Sequence, residues 1–172
     1  MAEQGVGSLW HIAVARPDCD MNAVDCNGNT PLMKAAICHR TQMLEAWLAD
    51  VEGAQIVDQT VKNNEGKTLL MLFIEHLDSS LTSKMTKLLC KTINIRDCVN
   101  DVNKDGSTAI MMAASQSKWG LVKELLTNPG LKIIPEDGEG IEVDDDGFQG
   151  CVDLHKANSS GQTALVVILL AR

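Results

Sequence analysis

The segment Gly66-Lys67-Thr68 could hold phosphate, because it matches the end of a phosphate-binding loop. In such a loop, backbone N–H groups and the lysine surround the phosphate oxygens. The loop also needs a glycine five positions before its Gly-Lys pair, and Val61 stands there in this 172-residue chain. We therefore expect a turn here, with Lys67 at a variable position of that turn.

A second segment has the oxygen-bearing residues that calcium prefers. Residues 101–106 read Asp-Val-Asn-Lys-Asp-Gly, which matches the first half of a calcium-binding loop. The position that should supply a bidentate glutamate is Met112. Turns use the same residue types, so we expect a turn and no metal site.

The third candidate is an acidic stretch within residues 133–152. Its carboxylates are Glu136, Asp137, Glu139, Glu142, Asp144, Asp145 and Asp146. Interspersed glycines would keep the stretch flexible, so a solvated loop is one interpretation. The other is a landing site for a Lys/Arg-rich partner. These two interpretations stay open on even terms, and a calcium-responsive element is a distant third.

Catalytic chemistry finds no support in the remaining reactive residues. The four histidines have no His-x-x-x-His spacing, and no serine or cysteine lies in a nucleophile motif. The six cysteines form no Cys-x-x-Cys pair, which favours reduced thiols, with Cys38 and Cys90 in the core or at its rim. We expect no enzyme, no cofactor and no metal.

Composition narrows the class of protein. The chain is 45% hydrophobic, which suffices for a core, and its net charge of −8 with only 3% aromatic residues argues against nucleic acid as a partner. The longest apolar run, 164–171, is too short to span a bilayer, and no signal sequence is evident at the N-terminus. These features predict a cytoplasmic or nuclear protein without direct membrane insertion.

The elements that would position these residues come from a repeated pattern, Gly-x-Thr followed by an apolar run. A glycine in the left-handed region and a threonine N-cap predict a turn that leads into a helix. Three residues before each glycine stands an aspartate or asparagine that can close the turn. The pattern begins at Gly28, Gly66, Gly106 and Gly161, and second helices are predicted to end at Trp47-Leu48, Leu88-Leu89 and Leu125-Leu126.

This pattern resembles the ankyrin repeat family, whose unit of about 33 residues is a β-turn plus two helices opened by Thr-Pro-Leu-His-x-Ala. Residues 30–35 match that motif except for the histidine, which is apolar in all four motifs. The resemblance covers nearly the whole chain apart from the acidic stretch. It implies an all-α fold: an ankyrin-type α-solenoid of helix-turn-helix repeats with short β-turn or hairpin connections and one long acidic insertion.

The resulting organisation is a single domain over 1–172. A half repeat at 1–22 is followed by repeats at about 23–60, 61–100 and 101–155, and by a partial repeat at 156–172, with the insertion at about 133–152. Residues 8–15 are expected to form the second helix of the half repeat. A less favoured alternative treats 9–13 as an opening motif.

The resemblance implies a non-catalytic module that binds a protein or peptide through its concave face, its turn tips and the acidic insertion. By similarity, contacts lie at the turn tips and at the ends of the first helices. They are Cys26, Asn27, Asn29, Ile37, Cys38, Asn64, Glu65, Lys67, Glu75, His76, Lys104, Asp105, Ser107, Ser115 and Gln116, with Glu136, Asp137, Asp144, Asp145 and Asp146 from the insertion.

Two alternatives stay open. The chain could be a structural or regulatory segment that packs within a larger enzyme, channel or oligomer, because residues 164–171 are apolar all round. Self-association through this C-terminal helix belongs to the same hypothesis. Ile37 and Trp47 could also form an apolar anchor for a partner, although a core position is the stronger expectation for Trp47.

Overall fold

The computed structural model describes residues 16, 20–49, 58–76, 98–127, 132–133 and 151–170. Within these residues the chain is all-α, as predicted, with six helices and two strands of two residues each. The helices are α1 (Pro31–Ile37), α2 (Thr41–Ala49), α3 (Leu69–His76), α4 (Ala109–Ser115), α5 (Trp119–Thr127) and α6 (Ala164–Leu170). The strands are β1 (Lys132–Ile133) and β2 (Cys151–Val152).

The same turn precedes α1, α3, α4 and α6, and its geometry confirms the predicted role of the repeated glycine. Gly28 has φ +74° and the other three glycines have φ +72°. In the first turn, Oδ1 of Asp25 accepts the backbone N–H groups of Asn27 and Asn29 at 2.9 and 2.8 Å. The side-chain oxygens of Asn63, Asn103 and Asn158 accept the equivalent pairs. Each turn with its helix is called a unit below: 25–37, 63–76, 103–115 and 158–170.

Three of the four predicted threonine caps form. The Oγ1 atoms of Thr30, Thr68 and Thr163 accept a backbone N–H from three residues further on, at 3.4 to 3.5 Å. The prediction is wrong for Thr108, whose buried hydroxyl has no hydrogen-bond partner among the described residues. Pro31 opens α1, where its missing N–H leaves no bond unmade.

The second helices that are described, α2 and α5, contain the predicted apolar pairs 47–48 and 125–126. Each follows a tight connection in which His39 or Ser117 has a positive φ, of 52° and 56°. This confirms the expectation that His39 is a loop residue. The apolar pair 88–89 and the half-repeat helix 8–15 lie outside the described residues.

The units contact one another in chain order: α1 contacts α3, α3 contacts α4, and α4 contacts α6. Their buried faces form one hydrophobic cluster. Trp47 is fully buried in it and stacks on Phe73, with ring centroids 6.1 Å apart. Trp47 is therefore a core residue, and the alternative of an exposed anchor formed with Ile37 is wrong.

Strands β1 and β2 bring together the two ends of the acidic insertion. They pair in parallel, with Lys132 opposite Cys151 and Ile133 opposite Val152. Single antiparallel bridges, Val102 to Thr108 and Ala157 to Thr163, close two of the turns. The residues between the strands, 134–150, lie outside the described part of the chain. No helix in the described part is long and apolar enough to cross a membrane.

Candidate functional site

The first two units enclose a cleft of about 460 Å³, called the turn-tip cleft here. Its lining is mainly amide and charged side chains over two aliphatic ones. The residues are Asn27, Asn29, Lys34, Ile37, Asn63, Asn64, Glu65, Lys67, Leu72, Glu75 and His76. All except Lys34, Asn63 and Leu72 are among the contacts predicted from the sequence. The structure thus brings contact positions from two separate turns into one concave surface.

Hydrogen bonds between the two turns hold the rim of the cleft. The backbone N–H of Asn64 donates to the carbonyl of Asn27 at 2.9 Å, and its Nδ2 donates to the carbonyl of Cys26 at 3.0 Å. Deeper in, Nδ2 of Asn63 donates to Oδ1 of the buried Asn29 at 3.0 Å. The rim is preorganised, so little ordering is needed when a ligand binds.

Gly28 allows the two turns to approach this closely. A Cβ atom on Gly28 would lie 2.8 Å from Oδ1 of Asn64 and 2.9 Å from its backbone nitrogen. Real Cβ atoms do not approach other heavy atoms to such distances, and the positive φ also disfavours any other residue. Only glycine therefore fits between the first and second turns.

Lys67 lies between two carboxylates in the wall of the cleft. Its Nζ is 2.7 Å from Oε2 of Glu65 and 2.7 Å from Oε2 of Glu75. Burial on its own would lower the pKa of Lys67, but the hydrogen bonds and attraction to both carboxylates outweigh it and raise that pKa. The hydrogen bond and charge of Lys67 also lower the pKa of Glu65. One cation thus serves two anions, which leaves this part of the wall negative.

The far end of the cleft carries aromatic nitrogen atoms and an exposed thiol nearby. The rings of His39 and His76 meet edge to face, with centroids 5.6 Å apart. Cys38 ends α1 and is exposed, so the expectation of a core or rim thiol is wrong for it, while Cys90 lies outside the described residues. Among the described residues, no three His, Cys, Asp or Glu side chains are grouped to hold a metal ion.

The predicted contacts of the third unit do not line the cleft. Lys104 joins the row of turns through its backbone N–H, which donates to the carbonyl of Glu65 at 2.9 Å. Asp105, Ser115 and Gln116 are exposed, and Ser107 is partly buried in its turn. Cys26 is exposed at the tip of the first turn. The contacts predicted in the insertion, Glu136, Asp137, Asp144, Asp145 and Asp146, lie outside the described residues.

The two ligand-like sequence segments are turns, as predicted. In the Gly66-Lys67-Thr68 segment, Oδ1 of Asn63 accepts the backbone N–H of Lys67 at 2.9 Å. In the calcium-like segment, Asp101 pairs with Lys62 at 2.6 Å. There Oδ1 of Asn103 accepts the N–H groups of its own turn. The oxygens that suggested a calcium loop therefore close the turn and bind a lysine.

Sequence reasoning missed Lys34, Asn63 and Leu72 because the resemblance places contacts at turn tips and helix ends. These three residues lie elsewhere in their units: Asn63 opens the second turn, and Lys34 and Leu72 are mid-helix positions of α1 and α3. The signal that could have found them is their shared register, since Lys34 and Leu72 both stand six positions after their glycine.

Comparison with known proteins relates almost the whole chain to a small part of two larger proteins. No family model matches the chain. It is 28% identical over 165 residues to Protein glp-1 of Caenorhabditis elegans, which covers 94% of this chain and 12% of that protein. It is also 28% identical over 153 residues to Protein lin-12 of the same organism, covering 88% of this chain and 10% of that protein. The chain therefore spans about a tenth of the length of these relatives.

Proposed function

We propose that this chain is a non-catalytic protein-interaction module of the ankyrin repeat type, an α-solenoid that binds a protein or peptide through the turn-tip cleft. The observation that carries the proposal is the cleft itself, in which two turns joined by hydrogen bonds present polar and charged side chains over Ile37 and Leu72. The four equivalent turns support the repeat assignment. The similarity to glp-1 and lin-12 along most of the chain is consistent with a repeat module.

The partner proposed for this cleft has some Lys/Arg character. Glu65 supports this, because 65% of its side chain is exposed at the rim while Lys67 is shared between two carboxylates. The chain as a whole carries a charge of −8, which attracts basic partners at low salt. The concave face and the acidic insertion, with Asp144, Asp145 and Asp146, are proposed to extend the contact beyond the cleft.

We place this function in the cytosol or nucleus. The thiols of Cys26, Cys38 and Cys98 are free, which suits a reducing compartment. The proposed domain organisation remains one array over 1–172, with repeats at about 23–60, 61–100 and 101–155. Binding requires no cofactor or metal in this proposal, because recognition rests on hydrogen bonds and charge.

The experiment is quantitative capture of proteins from a cell lysate on four forms of the chain. The cleft variant is Glu65→Lys, and its matched control is Glu45→Lys, an equally large charge change at an exposed residue of α2 outside the cleft. The fourth form lacks residues 136–149. A set of basic partners that is lost with Glu65→Lys but kept with Glu45→Lys supports the cleft as the binding site.

Loss of the same partners only in the deletion would move recognition to the insertion. Equal capture by all four forms would contradict the proposal as a whole. Circular dichroism of each form, with unchanged helical signal, separates lost binding from lost folding.

A second function is favoured by one specific observation. Leu169 and Leu170 of α6 are 68% and 69% exposed, which is unusual for large apolar residues in one helix. In this alternative the chain is a structural segment that packs within a larger assembly through its end helix. Leu169→Glu should then abolish capture that Glu65→Lys leaves intact.

A further inference from the structure

A hydrogen bond between successive turns recurs three times in the described chain. In each case the carbonyl of the residue before one glycine accepts the backbone N–H of the residue two positions before the next glycine. The pairs are Asn64 to Asn27 at 2.9 Å, Lys104 to Glu65 at 2.9 Å and Ser159 to Asp105 at 2.8 Å. Each unit is therefore joined to the next through the same backbone atoms.

The glycines record the same contact. A Cβ atom on Gly28, Gly66 or Gly106 would lie within 2.8 to 3.2 Å of the following turn. Gly161, with the same φ of +72°, has no such neighbour within 4 Å. The backbone of the fourth turn thus has the conformation of a turn that receives another turn, and the described residues leave that side open.

Burial along the helices shows the same difference. At the fourth position after the glycine, Leu32, Leu70 and Ile110 are at most 1% exposed, whereas Leu165 of α6 is 47% exposed. The fifth position is buried as methionine in the first three units and is 41% exposed as Val166. At the eighth position Ala36, Ile74 and Ala114 are buried, while Leu169 is 68% exposed.

Three positions that the first three units bury are therefore apolar and exposed in the fourth. We propose that this surface, called the terminal face (Ser160, Gly161, Leu165, Val166 and Leu169), binds a further turn-and-helix unit that is distinct from the four described ones. Its incoming turn donates a backbone N–H to the carbonyl of Ser160, and its helix covers Leu165 and Leu169. The proposal does not depend on the function of the turn-tip cleft.

The chemistry of the incoming helix follows from the units that already stack on a predecessor. At the sixth position after the glycine these units have Leu72, Met112 and Val167, all apolar. The first unit has Lys34 there, with 55% of its side chain exposed and an ion pair to Asp25 at 3.7 Å. A second copy of this chain would have to bury that charge against α6, which is costly. The occupant is therefore a unit with an apolar sixth position.

The test extends the full chain with such a unit. Residues 171–172 are replaced by a copy of residues 38–76, which follow α1 in this chain and end with a turn and the helix of the second unit. The expected result is that backbone amides of α6 exchange their hydrogen about tenfold more slowly than in the unextended chain, because covering the helix suppresses local opening. The control extension carries Leu69→Asp and Leu72→Asp in the grafted copy only.

The proposal is wrong if α6 exchanges at the same rate with and without the extension, or equally slowly with the control extension. A graft that adds no helical circular dichroism also counts against it, since the proposal predicts that docking orders the graft. Sedimentation of the unextended chain provides the other decisive readout. A dimer that Leu169→Glu abolishes would show that a second copy covers the terminal face, contrary to the proposal.

Discussion

At the scale of single residues, the four turns solve the same problem with one difference. The residue that closes the turn is an asparagine in three units and an aspartate, Asp25, in the first. The backbone N–H of Asn29 lowers the pKa of Asp25 most, with smaller contributions from Asn27 and Lys34 that outweigh the opposing effect of desolvation. The first turn is therefore the one whose closure depends on a titratable group.

Asp25→Asn should reduce the acid sensitivity of the fold. The pKa of Asp25 is lower in the folded chain than its ordinary value of 3.8. Its carboxylate thus adds stability above that value, and this stability is lost as the pH falls through the folded pKa. Urea unfolding between about pH 2 and pH 6 should show a shallower loss for Asp25→Asn below about pH 4. Asp105→Asn, at an exposed position of the third turn, is the control and should follow the wild type.

Gly28→Ala should destabilise the chain more than Gly161→Ala. Both glycines have nearly the same positive φ, so the strain of about 1 kcal/mol is common to the two variants. Only Gly28 also faces the backbone of Asn64, which must move to admit a Cβ atom. We expect a loss of about 1 kcal/mol for Gly161→Ala and about 2 to 4 kcal/mol for Gly28→Ala in urea unfolding. Equal losses would contradict the role assigned to turn-to-turn contact.

At the scale of elements, ion pairs join the second turn to the last turn of α3. Lys67 precedes the helix and Glu75 lies near its end, and Lys67 contacts both Glu75 and Glu65. The three side chains differ in exposure, with Lys67 the most buried at 15% and Glu65 the most exposed at 65%. Since water screens exposed pairs, the two contacts should differ in strength.

Replacement of Lys67 should therefore cost more than replacement of Glu65. Lys67→Met leaves Glu75 partly buried without its cation, and we expect a loss of about 1 to 2 kcal/mol in the free energy of unfolding. Glu65→Gln removes an exposed pair and should cost less than about 1 kcal/mol, decreasing further in high salt. Thermal and urea unfolding of both variants measure the difference. A larger loss for Glu65→Gln would show that the rim pair dominates.

At the scale of the whole molecule, successive units contact mainly their neighbours, and a few large side chains bind them together. Such linear arrangements depend on the interface between adjacent units more than on any single unit. Trp47 of α2 stacks on Phe73 of α3 and so connects the first unit to the second. Trp119 opens α5 and is 38% exposed. The two tryptophans are thus a natural comparison.

Trp47→Ala should cost about 3 to 5 kcal/mol, because it leaves a large cavity at the interface of two units. That loss is a large fraction of the stability of an ordinary domain. Trp119→Ala should cost about 1 kcal/mol or less, as is usual for a partly exposed residue. Urea unfolding followed by far-ultraviolet circular dichroism compares both without relying on tryptophan fluorescence. Similar losses for the two variants would argue against a special role of the Trp47–Phe73 contact.

The candidate site was predictable to the extent that it follows from local pattern. Asn27, Asn64, Glu65 and Lys67 are recognised because turn tips occur at fixed distances from a repeated glycine. That they share one cleft with Lys34 and Leu72 depends on how closely two units approach. Thr108 makes the same point, since its sequence is that of a cap but its hydroxyl accepts no N–H.

The sequence by itself determined the turns, the helices that follow them and the all-α class, because glycine at positive φ, the Asx bonds and most caps involve residues within a few positions of each other. Only the tertiary structure decided which side chains share the turn-tip cleft, that Trp47 is buried against Phe73, and that Leu165, Val166 and Leu169 of α6 are exposed. These properties depend on what a neighbouring unit covers. Burial is a relation between segments far apart in the chain, and identical patterns within each unit therefore have different surroundings.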